Sequence, residues 1–117
     1  MTMASIETFF ILFLGVQIFH SIEELSQGFH KKFPLFKMSF RFFLTFEIVF
    51  FLFWLLVALL KEFPFREYLM SIFIILMFAN GLWHLVWFGI EKKYVPGVIT
   101  APLFIILFLV FYFSILF

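Results

Sequence analysis

Phe42–Leu60 reads FFLTFEIVFFLFWLLVALL, an apolar run holding one acid, Glu47, and neither glycine nor proline. A helix crossing bilayer hydrocarbon needs about 20 mainly apolar residues. This stretch is therefore read as a transmembrane helix. Two more stretches qualify. Tyr68–Ile90 carries His84 as its only ionisable side chain besides Tyr68, and Val95–Phe117 carries no charge. Pro96, near the start of the latter, suits a first helical turn. None of the runs alternates in the manner of an outer-membrane strand. Composition agrees: 66% of the 117 residues are hydrophobic, 24 are phenylalanine and only 13% are charged. A soluble domain has about a quarter of its residues charged, so this chain lacks the polar surface to coat a water-soluble globule.

The first apolar segment is more polar. Thr8–Ile22 has no Asp, Glu, Lys or Arg, yet it contains Gln17 and His20, and Glu23 and Glu24 follow directly. A continuous helix satisfies its own backbone at membrane depth, and a span over residues 5–26 is expected. With the others at 42–60, 68–90 and 95–117, the chain reads as a single domain. Its fold class is an all-α membrane protein, an up-down bundle of four transmembrane helices joined by short loops.

The first loop and its end carry Lys31, Lys32, Lys37 and Arg41, and the third loop carries Lys92 and Lys93. The opposite face has Lys61 and Arg66. Basic residues accumulate on cytoplasmic loops, so both termini are expected outside a plasma (inner) membrane. No basic stripe suits nucleic acid, and the absence of cysteine removes disulfides, thiolate metal sites and cysteine nucleophiles. No Lys or Arg precedes the first apolar run and no A-x-A site follows it, so this segment is expected to stay as a helix.

Ionisable groups within a membrane are costly, and a functional role with a partner is the default expectation. At a rise of about 1.5 Å per residue, His20, Glu47 and His84 each fall about 9–10 Å from the lysine-rich face, and Thr100 about 6 Å. Three antiparallel helices thus bring two imidazoles and a carboxyl to one level. Gln17, His20 and Glu24 share one stripe of the first helix, with Glu23 on its flank. Asn80, Trp83, His84 and Trp87 form a second stripe. Simpler readings stand beside these. Glu23 and Glu24 can sit at the interface, the histidines can be neutral interhelical partners, and Glu47 can snorkel. Trp87 fits an interfacial aromatic, and His30, Lys31 and Lys32 fit a headgroup-facing cluster.

His20-Ser21-Ile22-Glu23-Glu24 spells H-x-x-E-E, and Asn80-x-x-x-His84 is followed by Tyr94-x-Pro96-Gly97-x-x-Thr100. On these blocks the chain resembles the HXXEE family of small membrane proteins. The resemblance marks His20, Glu23 and Glu24 as defining residues and implies no particular reaction.

Three functions follow from the cluster. The first is an enzyme on a lipid or other apolar small-molecule substrate. His20, Glu23, Glu24, Glu47 and His84 are the candidate ligands for a divalent metal, zinc, iron or manganese, with Asn80 and Tyr94 supporting them. In a metal-free variant Glu24 and Glu47 exchange protons with substrate, assisted by Asn80 and Tyr94, while Trp83 faces a developing cation. The second is proton or metal-ion transport, which needs a polar path to the far face, where the sequence offers little beyond Ser114. The third is a non-catalytic accessory protein whose polar contacts only hold helices together.

Overall fold

The computed structural model describes residues 3–116. It forms five helices: α1 (Met3–Ser26), α2 (Phe29–Lys32), α3 (Phe40–Leu59), α4 (Arg66–Glu91) and α5 (Ala101–Leu116), with no strand among the described residues. Ser5–Ser26, Phe40–Leu59 and Arg66–Glu91 are long and apolar enough to cross a membrane, and α5 is a shorter apolar helix. The long apolar side chains that would coat a soluble protein's interior here point outward, Phe19, Ile22, Val49 and Ile75 among them.

Local chemistry sets the ends. Ser39 caps α3 by accepting the Phe42 N–H at 3.1 Å. Gly28, in the left-handed region at φ 77, turns the chain out of α1. Lys92 takes the same conformation at φ 56 while its N–H bonds the Phe88 carbonyl at 2.8 Å, which stops α4.

The packing departs from a ring of sequence neighbours. α1 lies in the middle, against α3, α4 and α5. The closest pair is α4 with α5, because Gly81 has no side chain to hold them apart; a Cβ there would meet the Ala101 carbonyl oxygen at 2.9 Å. α3 and α4, joined by a short connection, meet over little of their length. The core is rich in aromatic side chains. Phe10, Phe13, Phe73 and Phe104 are fully buried, and Phe73 packs edge-on to Phe10 with ring centroids 5.1 Å apart.

Two boundaries correct the sequence reading. The last helix begins at Ala101, not near residue 95, and Pro96 lies in a buried turn rather than in a first helical turn. Gly97 at φ 99 breaks the helical run, and residues 95–100 fold back under α1 and α4. The first loop also contains α2. Its Phe29 is packed between Phe43 and Trp87, so residues 27–40 and the turn lie at one end of the molecule. Lys31 and Lys32 are exposed there, but His30 is turned inward against Phe40. Trp87, expected at an interface, is only 3% exposed.

At the other end the structure buries Arg66, which the sequence presents as an ordinary loop cation. Its Nε donates to the Val57 carbonyl at 2.7 Å and Nη2 to the Ala58 carbonyl at 2.9 Å. These are carbonyls of the last turn of α3, which lack helical partners. Nη1 pairs with Glu7 at 2.7 Å. Arg66→Ala is expected to destabilise the fold by about 1–3 kcal/mol, because it strands these acceptors, while Glu7 keeps Lys61 at 3.4 Å. Arg66→Lys should recover only part of that, since a point charge cannot fork three ways. Thermal unfolding in detergent measures both.

Candidate metal centre

The C-terminal third of α1 and the C-terminal half of α4 face each other across a buried contact. His20 and His84 are both 0% exposed, and their rings stand edge to face, 4.6 Å between centroids and 85° between planes. Nε2 of one lies 3.1 Å from Nε2 of the other. Glu24, one turn beyond His20, spans the pair: Oε1 is 3.6 Å from His20 Nε2 and Oε2 is 3.3 Å from His84 Nε2. The i, i+4 step of the helix puts the His and the Glu on one stripe.

These three separations fit a metal ion. Zinc bound tetrahedrally at about 2.0–2.1 Å sets its ligand atoms about 3.3 Å apart. The two imidazole Nε2 atoms are 3.1 Å apart, and Glu24 reaches them with different oxygens, Oε2 to His84 at 3.3 Å and Oε1 to His20 at 3.6 Å. His20, Glu24 and His84 are the buried set whose ligand atoms lie within 4.8 Å of one another.

The surrounding hydrogen bonds aim the ligands. Thr100 Oγ1 lies 2.8 Å from Glu23 Oε1 and 2.7 Å from His20 Nδ1. A hydroxyl has one proton and a carboxylate only accepts. Thr100 therefore donates to Glu23, and His20 Nδ1–H donates to Thr100. That assignment leaves the His20 Nε2 lone pair directed at His84 and Glu24. His84 Nδ1 is buried without a hydrogen-bond partner. With Nε2 on a metal, His84 would carry its proton on Nδ1. Hydrogen-bonded partners of ligating histidines are worth about 10–100-fold in metal affinity. Thr100→Val is expected to weaken metal binding by about that factor, as a competition titration with a chelating dye would register.

The turn is built to the rings. A Cβ on Gly97 would lie 2.4 Å from His84 Cε1, 2.7 Å from His84 Nδ1 and 2.8 Å from His20 Cε1. The glycine is needed twice over, for its positive φ and for the space.

Glu23 does not join the ligands, contrary to the sequence expectation. Its Oε1 accepts the Thr100 N–H at 2.9 Å as well as the hydroxyl, and Oε2 accepts the Ile99 N–H at 3.2 Å and the Tyr94 hydroxyl at 2.6 Å. Four donors occupy a carboxylate that has about four acceptor positions. Two of them are backbone N–H groups at the start of α5 that the helix cannot satisfy itself. Glu23 thus caps α5 from another helix and fastens the 94–100 turn. Tyr94, expected among the reacting groups, is spent on this clamp. Burial and the Glu23 carboxylate raise its phenol above the ordinary 10.0. Its neutral, donating form is therefore favoured by folding; this contribution is full below about pH 10 and is lost as pH rises beyond it.

Glu47 stands beside the centre rather than in it. Ser21 Oγ donates to its Oε2 at 2.6 Å, and Glu24 is within hydrogen-bonding range. Gln17 Nε2 in turn donates to Ser21 at 3.1 Å. Where α3 and α4 diverge lies a cavity of about 390 Å³, lined by Gln17, Glu24 and Glu47, with Asn80 and Trp83 on its α4 side. Glu24 and Glu47 are both buried in the protein, 5% and 7% exposed.

Gly97, Ser21 and the role of Thr100 are what the sequence reading missed as parts of the site. The signal available was Pro96-Gly97 inside the Tyr94–Thr100 block, a pair that fits a turn. No curated protein and no solved structure is detectably similar to the chain. The family model described as a protein of unknown function with HXXEE motif matches residues 11–112, a span that includes His20, Glu24, His84 and the whole Glu23 clamp, and the chain belongs to that family.

Proposed function

We propose that this protein is a multi-pass membrane metalloprotein that holds one divalent cation, zinc before iron or manganese, on His20, Glu24 and His84. It acts there on an apolar substrate drawn from the lipid. The observation that carries this reading is the buried meeting of the two imidazole Nε2 atoms, 3.1 Å apart, with the Glu24 carboxylate, whose Oε2 and Oε1 lie 3.3 and 3.6 Å from them. Three protein ligands leave a fourth position for water or substrate, the arrangement of catalytic rather than structural zinc. A bound cation would supply Lewis-acid polarisation or a lowered water pKa. The chain's own contributions are then distinct. Thr100 and Glu23 orient His20, Ser21 orients Glu47, and Glu47 is the carboxyl placed to move a proton beside the centre. Asn80 and Trp83 offer a polar and an aromatic surface to substrate.

In the membrane we place α1, α3, α4 and α5 as four spans. α5, about 24 Å long, is short of the roughly 30 Å hydrocarbon core. The 95–100 turn makes up the depth, its backbone satisfied by Glu23 as irregular structure at membrane depth requires. The lysine-rich end lies in the cytoplasm and the termini outside, most simply in a plasma membrane.

One observation favours a metal-free variant. Glu24 and Glu47 are close enough to share a proton, the arrangement of a carboxyl pair in acid/base work. Ion transport is less well supported, because beyond Gln17 the cluster meets Phe13, Phe73 and Phe104 and no polar path continues among the described residues. Elemental analysis of protein purified in mild detergent separates the first two readings. The metal reading expects about one equivalent per chain, lost in His20→Ala. No metal in the wild type, with His20→Ala folded and unaffected, sinks it in favour of the carboxyl pair.

A further inference from the structure

The buried end of the cavity between α3 and α4 holds an acceptor with no donor. Ser21 gives its single proton to Glu47, so it can only accept from Gln17, which fixes the Gln17 amide with Nε2 toward Ser21. Gln17 Oε1 is left buried with no donor, in a side chain 95% withdrawn from the surface and lining the cavity. The other buried polar groups on the lining are the carboxyls of Glu24 and Glu47. The buried end of the cavity therefore presents one free acceptor beside two carboxyls, with the Asn80 amide and Trp83 indole on its more exposed side.

The walls are phenylalanine, leucine and methionine. Phe46 on α3 is 53% exposed and Leu76 on α4 is 45% exposed, so the cavity's rim lies on faces that the apolar surface commits to lipid. Its volume, about 390 Å³, is within the range of small-molecule sites. A buried acceptor with no donor costs about 1–3 kcal/mol, and a ligand that donates there recovers it.

We infer that this cleft is the binding site for a membrane amphiphile whose polar end is a hydrogen-bond donor, a long-chain alcohol or amine, which enters sideways from the lipid between Phe46 and Leu76 and seats its head against Gln17 Oε1 and the Glu24–Glu47 pair. This rests on the proposed function, since Glu24 is shared between the cavity and the metal. A fatty acid is rejected, because a carboxylate has no proton to give Gln17 Oε1 and would sit against the Glu47 carboxyl. The amine and the alcohol share the donor chemistry. A preference for the amine would mean that charge pairing with the carboxyls dominates, and a preference for the alcohol that Gln17 does.

Trp83 on the lining reports occupancy. Chain-brominated dodecanol, dodecylamine and dodecanoate are titrated into the metal-loaded full chain in nanodiscs, following tryptophan quenching. The expected result is saturable quenching by the alcohol or the amine and only linear partitioning by the acid. Gln17→Leu should weaken alcohol binding about tenfold. Because the chain has no cysteine, Phe46→Cys with Leu76→Cys, bridged by a short bismaleimide, closes the mouth alone and should slow or abolish quenching. Saturable quenching by dodecanoate, or alcohol binding indifferent to both Gln17→Leu and the bridge, overturns the inference. Metal content measured on the same samples keeps the two readings apart. Bound metal without saturable quenching removes the cleft ligand only, and quenching in a metal-free wild type removes the metal centre only.

Discussion

Gly97→Ala is expected to be the most damaging single-methyl change in the chain. At φ 99 an L side chain is strained, and the added Cβ would stand 2.4 Å from His84 Cε1 and 2.8 Å from His20 Cε1. Neither ring can yield. His20 is held by Thr100 on one side and packed edge-on to Phe104 on the other, and both imidazoles are wholly buried. The left-handed penalty is about 1–2 kcal/mol and overpacking adds about 1–3, so a loss of about 2–5 kcal/mol is expected. Displaced rings should also abolish stoichiometric metal binding. Thermal unfolding in detergent, with metal analysis of the surviving folded fraction, reads both effects. Wild-type stability and metal content in Gly97→Ala would mean that the turn does not touch the histidines as described.

The second large effect separates the two adjacent acids of the motif. Glu24→Gln keeps the shape of the side chain and removes the anionic ligand, so it should lose the metal while retaining the fold. Glu23→Gln should do the reverse. Its amide cannot accept from four donors, and the turn over residues 94–100 should loosen, at about 1–3 kcal/mol. Metal affinity should then fall only through Thr100 and His20, by about 10–100-fold. Circular dichroism melts and a chelator competition on the two variants give opposite rank orders if the assignment holds. Equal behaviour would remove the distinction between ligand and clamp.

Much of this was legible in the sequence for one physical reason. Buried ionisable residues in a hydrocarbon setting are so costly that they mark their own level, and counting residues from the loop charges puts His20, Glu47 and His84 at the same depth. Helical periodicity then separates Glu24, on the His20 stripe, from Glu23 on its flank. The spans of the first three long helices follow from apolar length alone. What was not legible depended on backbone departures that an apolar run conceals. Val95–Thr100 is uncharged and continuous with the apolar helix after it, so its turn is announced only by Pro96 and Gly97, and a proline there also fits a helix start. Glu23 could not be told from a ligand because its partners, Tyr94, Ile99 and Thr100, become neighbours only once that turn forms. Arg66 likewise reads as a loop cation until the end of α3 offers it the Val57 and Ala58 carbonyls. The separation of α3 from α4 has no sequence signature at all, since it follows from α1 taking the central place.

The central claim is that His20, Glu24 and His84 hold one ion. Metal K-edge X-ray absorption on protein purified in mild detergent, without added metal, tests it most directly. The account predicts about one equivalent of a single transition metal with two imidazole nitrogens at about 2.0–2.1 Å and a carboxylate oxygen in a four-coordinate shell, with the imidazole signal lost in His84→Ala. A spectrum of oxygen ligands only, or an unchanged spectrum in His84→Ala, would contradict it.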